Sequence, residues 1–461
     1  MHQKIKHLAT ENISTLIWKQ SLPSIVGLLV ISLYNVVDTI FIGWYSGSVG
    51  IASLMIVLPI QILFMGFIQM VGVGSASMIS RALGAEDYTK ARKTLGNFFS
   101  LNLIISLTMT ALGFIFLTPL LYLFGATESI FPYAYIYASI VLFGSVFLTI
   151  SASSGMVIRA EGNAKYAMFM MLGSALTNCI LDPIFIFYFD WGVGGAAWAT
   201  VFSQVVGAYF ALRFFFKKKS VIQIKINHLK PNRKIIREMV LIGFSSFIRQ
   251  TIGTLTMIIV NNSLVAYGGG VADLALASFG ILSKILMLSV MPIFGFVQGL
   301  QPIFGYNYGA HHYQRAILAI TDSIKKVSVY CFLVFLILIF FGDAVIACFT
   351  SDQLLINFTE HAVHIMFLAL PLVGFQEVAG GIYQSMGNVR KSFFVSLLRQ
   401  FIALLPFMLI LPLFFGLDGI FWSYPIADFI SATVNFFLLR YEYQKLREHK
   451  IKITYPEFLP E

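Results

Sequence analysis

Charge is scarce in this chain. Asp, Glu, Lys and Arg supply 11% of its 461 residues while 58% are hydrophobic, against roughly a quarter charged in a soluble domain. That balance excludes a water-soluble fold and a disordered one. Cysteine is nearly absent. Cys179, Cys331 and Cys348 are odd in number and show no ligand spacing, so neither a disulfide framework nor a thiolate metal site is expected. His311-His312 reads as a solvated loop pair rather than a metal site. Strand-like alternation in blocks of about ten residues is missing, which argues against a membrane barrel. A glycine-rich phosphate loop is missing too, leaving ATP coupling without a site. No cofactor is called for.

Long apolar runs are what the chain has instead. Windows of about twenty residues mark twelve, near 15–42, 51–79, 95–118, 130–156, 165–189, 194–216, 237–266, 274–303, 317–341, 361–386, 392–415 and 418–440. The expected fold is an all-α integral membrane protein of twelve transmembrane helices. The first run is too long for a signal-peptide core and lacks a small-residue cleavage site, so it reads as an uncleaved helix. A net charge of +10 would suit a nucleic-acid partner, but its placement decides otherwise. Lys and Arg crowd both termini and every second loop, with only Arg249, Lys284 and Arg399 inside spans; the alternate loops carry Glu128, Asp190, Asp273, Asp343, Asp352, Glu360 and Asp418. This is the positive-inside pattern. It predicts a multi-pass protein of the cell membrane with both termini cytoplasmic, and no nucleic acid.

Sliding the chain against itself by 225 positions brings two halves into register. Gly84-Ala85-Glu86-Asp87-Tyr88 meets Gly309-Ala310-His311-His312-Tyr313, Gly162-Asn163 meets Gly387-Asn388, and with a slip of one Gly192, Gly195 and Trp198 meet Gly416, Gly419 and Trp422. Six spans per half give both halves the same orientation, so a parallel repeat is expected: two pseudo-symmetric six-helix lobes around a central cavity. The divisions would be a first lobe over 1–216, a cytoplasmic linker over 217–236, a second lobe over 237–440 and a cytoplasmic tail over 441–461, read as short helix followed by coil.

Two carboxyl groups stand inside the first lobe's spans, Asp38 in span 1 and Asp182 in span 5, each preceded by a polar residue one turn earlier, Tyr34 and Asn178. An acid within the bilayer costs about 2.5–3.5 kcal/mol to insert and marks a functional site unless packing alone explains it. Their partners at the 225 offset are Ser263 and Pro406 or Phe407, so the acids are peculiar to one lobe. Both lie in the outer half, at a depth shared by Thr200 in span 6. Tyr34, Asp38, Asn178, Asp182 and Thr200 can therefore form one polar pocket in which two carboxyls cannot both ionise cheaply. Such a pocket can load and release a proton; the same oxygens can also coordinate sodium. Pro23, deeper in span 1, is a candidate hinge or a static kink. In the second lobe Arg249, Lys284, Glu377, Arg399 and Asp428 are expected to form internal salt bridges facing the cavity, with Glu377 or Asp428 as alternative cation or substrate ligands. Met65, Met70, Met171, Met257, Met287 and Met291 can line an adaptable chamber.

The two six-helix lobes, Pro23 and Asp38 in span 1, the Asn178-x-x-x-Asp182-Pro183 segment and the Gly192-x-x-Gly195-x-x-Trp198 entry to span 6 together resemble the multidrug and toxic compound extrusion (MATE) family, in particular its DinF-like branch, over about residues 14–440. The resemblance implies a monomeric, cation-coupled antiporter that exports amphipathic, often cationic drugs by alternating access. It also implies that Tyr34, Asp38, Asn178, Asp182 and Thr200 form the proton or cation network, with Pro23 as the bending point. The NorM-like branch has acids in spans 7 and 10; here span 7 has none and span 10 only Glu377, which tilts the coupling ion from Na⁺ toward H⁺. One competing reading is a lipid-linked oligosaccharide flippase, which shares the architecture and would use Arg249, Lys284 and Arg399 to hold a pyrophosphate. A membrane enzyme is disfavoured, since the outward loops are short and hold no catalytic cluster.

Overall fold

The computed structural model describes residues 2–217 and 219–454. Helices are started by side chains that satisfy the first free N–H groups. Asn12, Asp87, Asn232, Asp352 and Asn388 each cap a helix, for example Asn12 Oδ1 accepting from Ser14 N at 2.9 Å and Asp87 Oδ1 from Lys90 N at 2.8 Å. The first six spans are α1 (Ile13–Gly47), α2 (Val49–Gly84), α3 (Tyr88–Leu123), α4 (the bent pair Phe131–Phe143 and Ser145–Ala160), α5 (Ala164–Tyr188) and α6 (Gly192–Phe216). The second six are α7 (Arg233–Gly268), α8 (Ala272–Gly309), α9 (Tyr313–Phe340), α10 (the bent pair Gln353–Met366 and Leu370–Met386), α11 (Val389–Ile410) and α12 (Pro412–Thr454, broken at Gly416). These are the twelve spans expected, and the chain is a multi-pass membrane protein. Large apolar side chains such as Leu123, Phe340 and Phe414 stay exposed on the outside of the bundle, as lipid contact requires. The polar end of α12 runs on as helix to Thr454, because a continuing helix satisfies its own backbone; the coil expected beyond it, residues 455–461, lies outside the described residues.

Backbone geometry repeats with the sequence. Left-handed residues recur at Glu86 and His311 and at Gly162 and Gly387, each pair 225 apart. α4 bends by 58° at Gly144 and α10 by 53° at the matching place, residues 367–369. The turns from α1 to α2 and from α7 to α8 both hinge on glycine, Gly47 at φ 58°, ψ −146° and Gly269 at φ 51°, ψ −125°, a region that side chains with a Cβ avoid.

The lobes meet through crossed helices near the face that carries the termini, the basic face. A Cβ on Gly84 would lie 2.0 Å from Tyr306 O, and one on Gly309 would lie 2.2 Å from Arg81 O. Shifting either contact by 225 gives the other, the reciprocal pairing that a two-fold relation between lobes demands. Gly74 against Met239 O and Gly243 against Met70 O, at 2.0 and 1.8 Å, bring α2 and α7 equally close. Hydrogen bonds join the same region: Ser21 Oγ donates to Phe296 O at 3.0 Å, and Glu238 accepts from Lys90 at 3.1 Å with Arg81 at 3.5 Å. Towards the far face the helices diverge, and Gly269, Gly270 and Gly280 meet nothing within 4 Å. The structure is therefore sealed at its basic face.

A helix over His2–Thr10 adds to the seal. Ile5 and Leu8 are buried, and the Leu8 carbonyl accepts from Asn307 Nδ2 at 3.1 Å. No apolar window could have marked nine residues as an element; burial against α8 holds them.

Candidate functional site in the first lobe

α1 and α5 carry the two intramembrane carboxyls. Counting back from the glycine turns at 47 and 192, each acid lies roughly 14 Å from the far face. Asp38 is 8% exposed and Asp182 and Asn178 are fully buried. Asn178 stands one turn before Asp182, and its Nδ2 donates to Asp182 Oδ1 at 3.2 Å and to Thr200 Oγ1 of α6 at 3.4 Å. Asp38 and Asp182 form no hydrogen bond with each other, yet they and Tyr34 are near enough for their charges to interact. The structure thus brings Tyr34, Asp38, Asn178, Asp182 and Thr200 into one pocket.

The pocket's unmet needs are all of one kind. Asp38 Oδ1, Asp182 Oδ2 and Asn178 Oδ1 are buried acceptors without a partner. Orphaned polar atoms of this sort are rare and costly, and three acceptors together leave room for a proton or a small cation. The residue set fits either: two carboxyls, an amide oxygen and a hydroxyl.

Two members were missed by sequence. Tyr137 of α4, 4% exposed, feels the charges of Asp38 and Asp182, and Gln61 of α2 is within hydrogen-bonding reach of its hydroxyl. The signal was slight: Gln61 is one of two glutamines in α2 and Tyr137 one of three tyrosines at the start of α4. Tyr137 belongs with Ile42, Phe64, Leu117 and Ile186 to an apolar cluster in the far half of the lobe. Pro23 is buried in α1, where a kink was expected. The φ/ψ angles stay helical through it, and Gly47 is the non-helical residue of the Ile13–Gly84 stretch. Packing holds this part of α1: Ser21 is pinned to α8, and Gly27 lets Met171 of α5 approach within 2.8 Å of a Cβ position.

The second lobe's charges sort into two pairs and one outlier. Arg249 Nη1 meets Glu377 Oε2 at 2.9 Å. Arg399 is bidentate on Asp428, Nε to Oδ1 at 2.5 Å and Nη2 to Oδ2 at 3.3 Å, and Gln376 also donates to Oδ1. Arg399 sits in a π-helical stretch of α11, Leu398–Leu404, a widening common where side chains are re-aimed. Lys284 departs from expectation: it is exposed, with no carboxylate in bridging distance among the described residues.

Between the lobes lies a cavity of about 580 Å³, lined by Leu28 of α1, Leu58, Gln69 and Val73 of α2 and by residues of α7, α8, α10 and α11 that include Arg249, Glu377 and Arg399. Met257 and Met291 line it; Met70 lies in the seal, Met171 packs on α1, and Met65 and Met287 are exposed. Asp38 and Asp182 are not part of its wall.

The sequence profile of the MatE family matches residues 23–184 and 244–410, once in each lobe. The chain belongs to the MatE family. MatE proteins are transporters rather than enzymes. The multidrug export protein MepA of Staphylococcus aureus (strain MRSA252) is 29% identical over 415 residues, 89% of this chain and 90% of MepA. A solved structure of the MATE multidrug transporter DinF-BH shares 38% identity and superposes with a TM-score of 0.88, covering 95% of this chain and 98% of that one. An outward-facing multidrug resistance MATE family transporter of the MOP superfamily matches with a TM-score of 0.89 at 25% identity, covering 95% and 98%.

Proposed function

We propose that this MatE chain is a proton-coupled antiporter that exports amphipathic small molecules by alternating access. A proton taken up by the Asp38–Asp182 pair drives release of cargo to the far face. The observation that carries this reading is the cluster of three buried oxygens without donors; a bound proton supplies a donor to them, and its departure leaves a negative charge that no group of the pocket compensates. Coupling is indirect, because the acids do not line the cavity. α1 carries both Asp38 and Leu28, so a change at the acid reaches the cavity through that helix, with Pro23 as its hinge. Tyr34, Asn178 and Thr200 orient the pair, and Arg249, Glu377, Arg399 and Asp428 form the second lobe's polar network. The protein works as a monomer in lipid of the cell membrane, with termini and linker cytoplasmic and lobes over 1–216 and 237–440.

Sodium is the second reading, favoured by the same four-oxygen set. The flippase reading has less support: Arg249 and Arg399 are already paired with carboxylates, and Lys284 is not among the residues of the cavity wall. The test is substrate movement in proteoliposomes under an imposed pH gradient or an imposed sodium gradient, applied separately. A pH gradient alone should drive accumulation; movement driven only by sodium would transfer the role to that ion, and movement driven by neither would end the antiporter reading.

A further inference from the structure

The second-lobe side of the central cavity offers little to hold an organic cation. Delocalised cations are held by aromatic faces and free carboxylates. Here Phe294 is the one aromatic ring among the described lining residues, and the Arg249 guanidinium already lies 5.5 Å from its centroid. Glu377 is the one lining carboxylate, and Arg249 holds it at 2.9 Å. The acids of the first lobe are elsewhere.

An anionic group finds the opposite. Arg249, Glu377, Gln384, Arg399 and Gln400 belong both to the cavity and to a side pocket of about 40 Å³ that opens between α7, α10, α11 and α12. Ser396, Ser431 and Asn435 line that pocket further. Asp428, the partner of Arg399, is 4% exposed and is not part of either wall, so Arg399 turns a guanidinium edge inward with its counter-charge behind it. Arg249 is more open, its side chain 37% exposed. A guanidinium presents five donors in a fixed fork, and Arg249 uses only Nη1 on Glu377. The pocket shares those five lining residues with the cavity, so a carboxylate can seat in it while the rest of the molecule stays in the larger space.

We infer that the side pocket at Arg249 and Arg399 is a carboxylate subsite, and that cargo which carries a carboxylate, zwitterionic or anionic, seats it there. The subsite rests on the antiporter reading for its place in transport, but binding to it does not depend on coupling. The incoming carboxylate takes the free donors of Arg249 and competes with Glu377 for the rest; the ring system of the cargo lies in the larger cavity against Met257, Met291 and Phe294.

The test uses purified full-length protein and two rhodamine dyes that differ only in the benzoate, one the free acid and one its ethyl ester, with binding read by fluorescence anisotropy. The acid should bind about tenfold more tightly than the ester, the size expected for a charge-assisted bidentate contact. Arg249→Gln should bring the acid-to-ester ratio down to about one while Arg249→Lys keeps part of it, since a lysine retains the charge but not the fork. Glu377→Gln should raise the ratio by freeing Arg249. Equal binding of acid and ester, a tighter ester, or a ratio unmoved by Arg249→Gln and Glu377→Gln would overturn the subsite. Acid preference without gradient-driven transport would sink the antiporter reading and leave the subsite standing; transport with no acid preference would do the reverse.

Discussion

Asp38→Asn and Asp182→Asn are each expected to reduce drug resistance in an efflux-deficient host to that of cells carrying the empty vector. Asparagine keeps the volume and the polar contacts of aspartate but cannot exchange a proton, so the variant removes the coupling step and little else. A coupling free energy of about 1–3 kcal/mol, the usual range, corresponds to a loss of roughly 5–150-fold in the linked equilibrium. Membrane content should be unchanged, because each substitution removes a buried, partly unpaired carboxyl rather than a packed apolar side chain. Asp182→Asn also leaves Asn178 with an amide in place of a carboxylate, so its effect should be at least as large. Wild-type resistance in both variants would contradict the assignment.

The second large effect concerns the seal. Gly84→Val places a side chain where a Cβ alone would stand 2.0 Å from the Tyr306 carbonyl. The partner atom is backbone and cannot rotate away, so the two lobes must part. Overpacking of this kind costs about 1–3 kcal/mol, enough to reverse the preference between two conformations of similar energy. Spin labels at the basic ends of α2 and α8 should report a longer distance in Gly84→Val, and the pseudo-symmetric Gly309→Val should do the same. Gly280→Ala, where a Cβ meets nothing within 4 Å, should leave the distance alone. An unchanged distance in both valine variants would mean that the seal does not depend on these close approaches.

How much of this was legible in the sequence depends on the physics that each feature obeys. Spans are legible because lipid imposes about twenty apolar residues on any helix that crosses it, and twelve such runs appear as twelve helices. The duplication is legible because loops keep their turn chemistry; Glu86 and His311 differ as residues yet share a left-handed backbone. Which way a side chain faces is harder. Lys284 sits in the same kind of run as Arg249 and Arg399, and nothing local says that it stays exposed and unbridged while they find carboxylates. The pairs Arg249–Glu377 and Arg399–Asp428 join residues more than a hundred and nearly thirty positions apart, so tertiary packing alone decides them. The bends at Gly144 and at residues 367–369 and the π-helical turn around Arg399 are likewise set by neighbours. Gln61 and Tyr137 join the first-lobe pocket from helices that carry other polar residues as well, Gln69 on α2 and Tyr133, Tyr135 and Ser139 on α4, so nothing local singles them out.

The claim at the centre is that the Asp38–Asp182 pair gives up a proton when cargo binds. It is tested most directly by counting protons released from the purified protein, in weakly buffered solution with a pH-indicator dye, when a transported compound is added. The account predicts release from the wild type and none from the Asp38→Asn/Asp182→Asn double variant, with the compound still bound. Equal release from both proteins, or binding to the wild type with no release at any pH at which the compound binds, would contradict it.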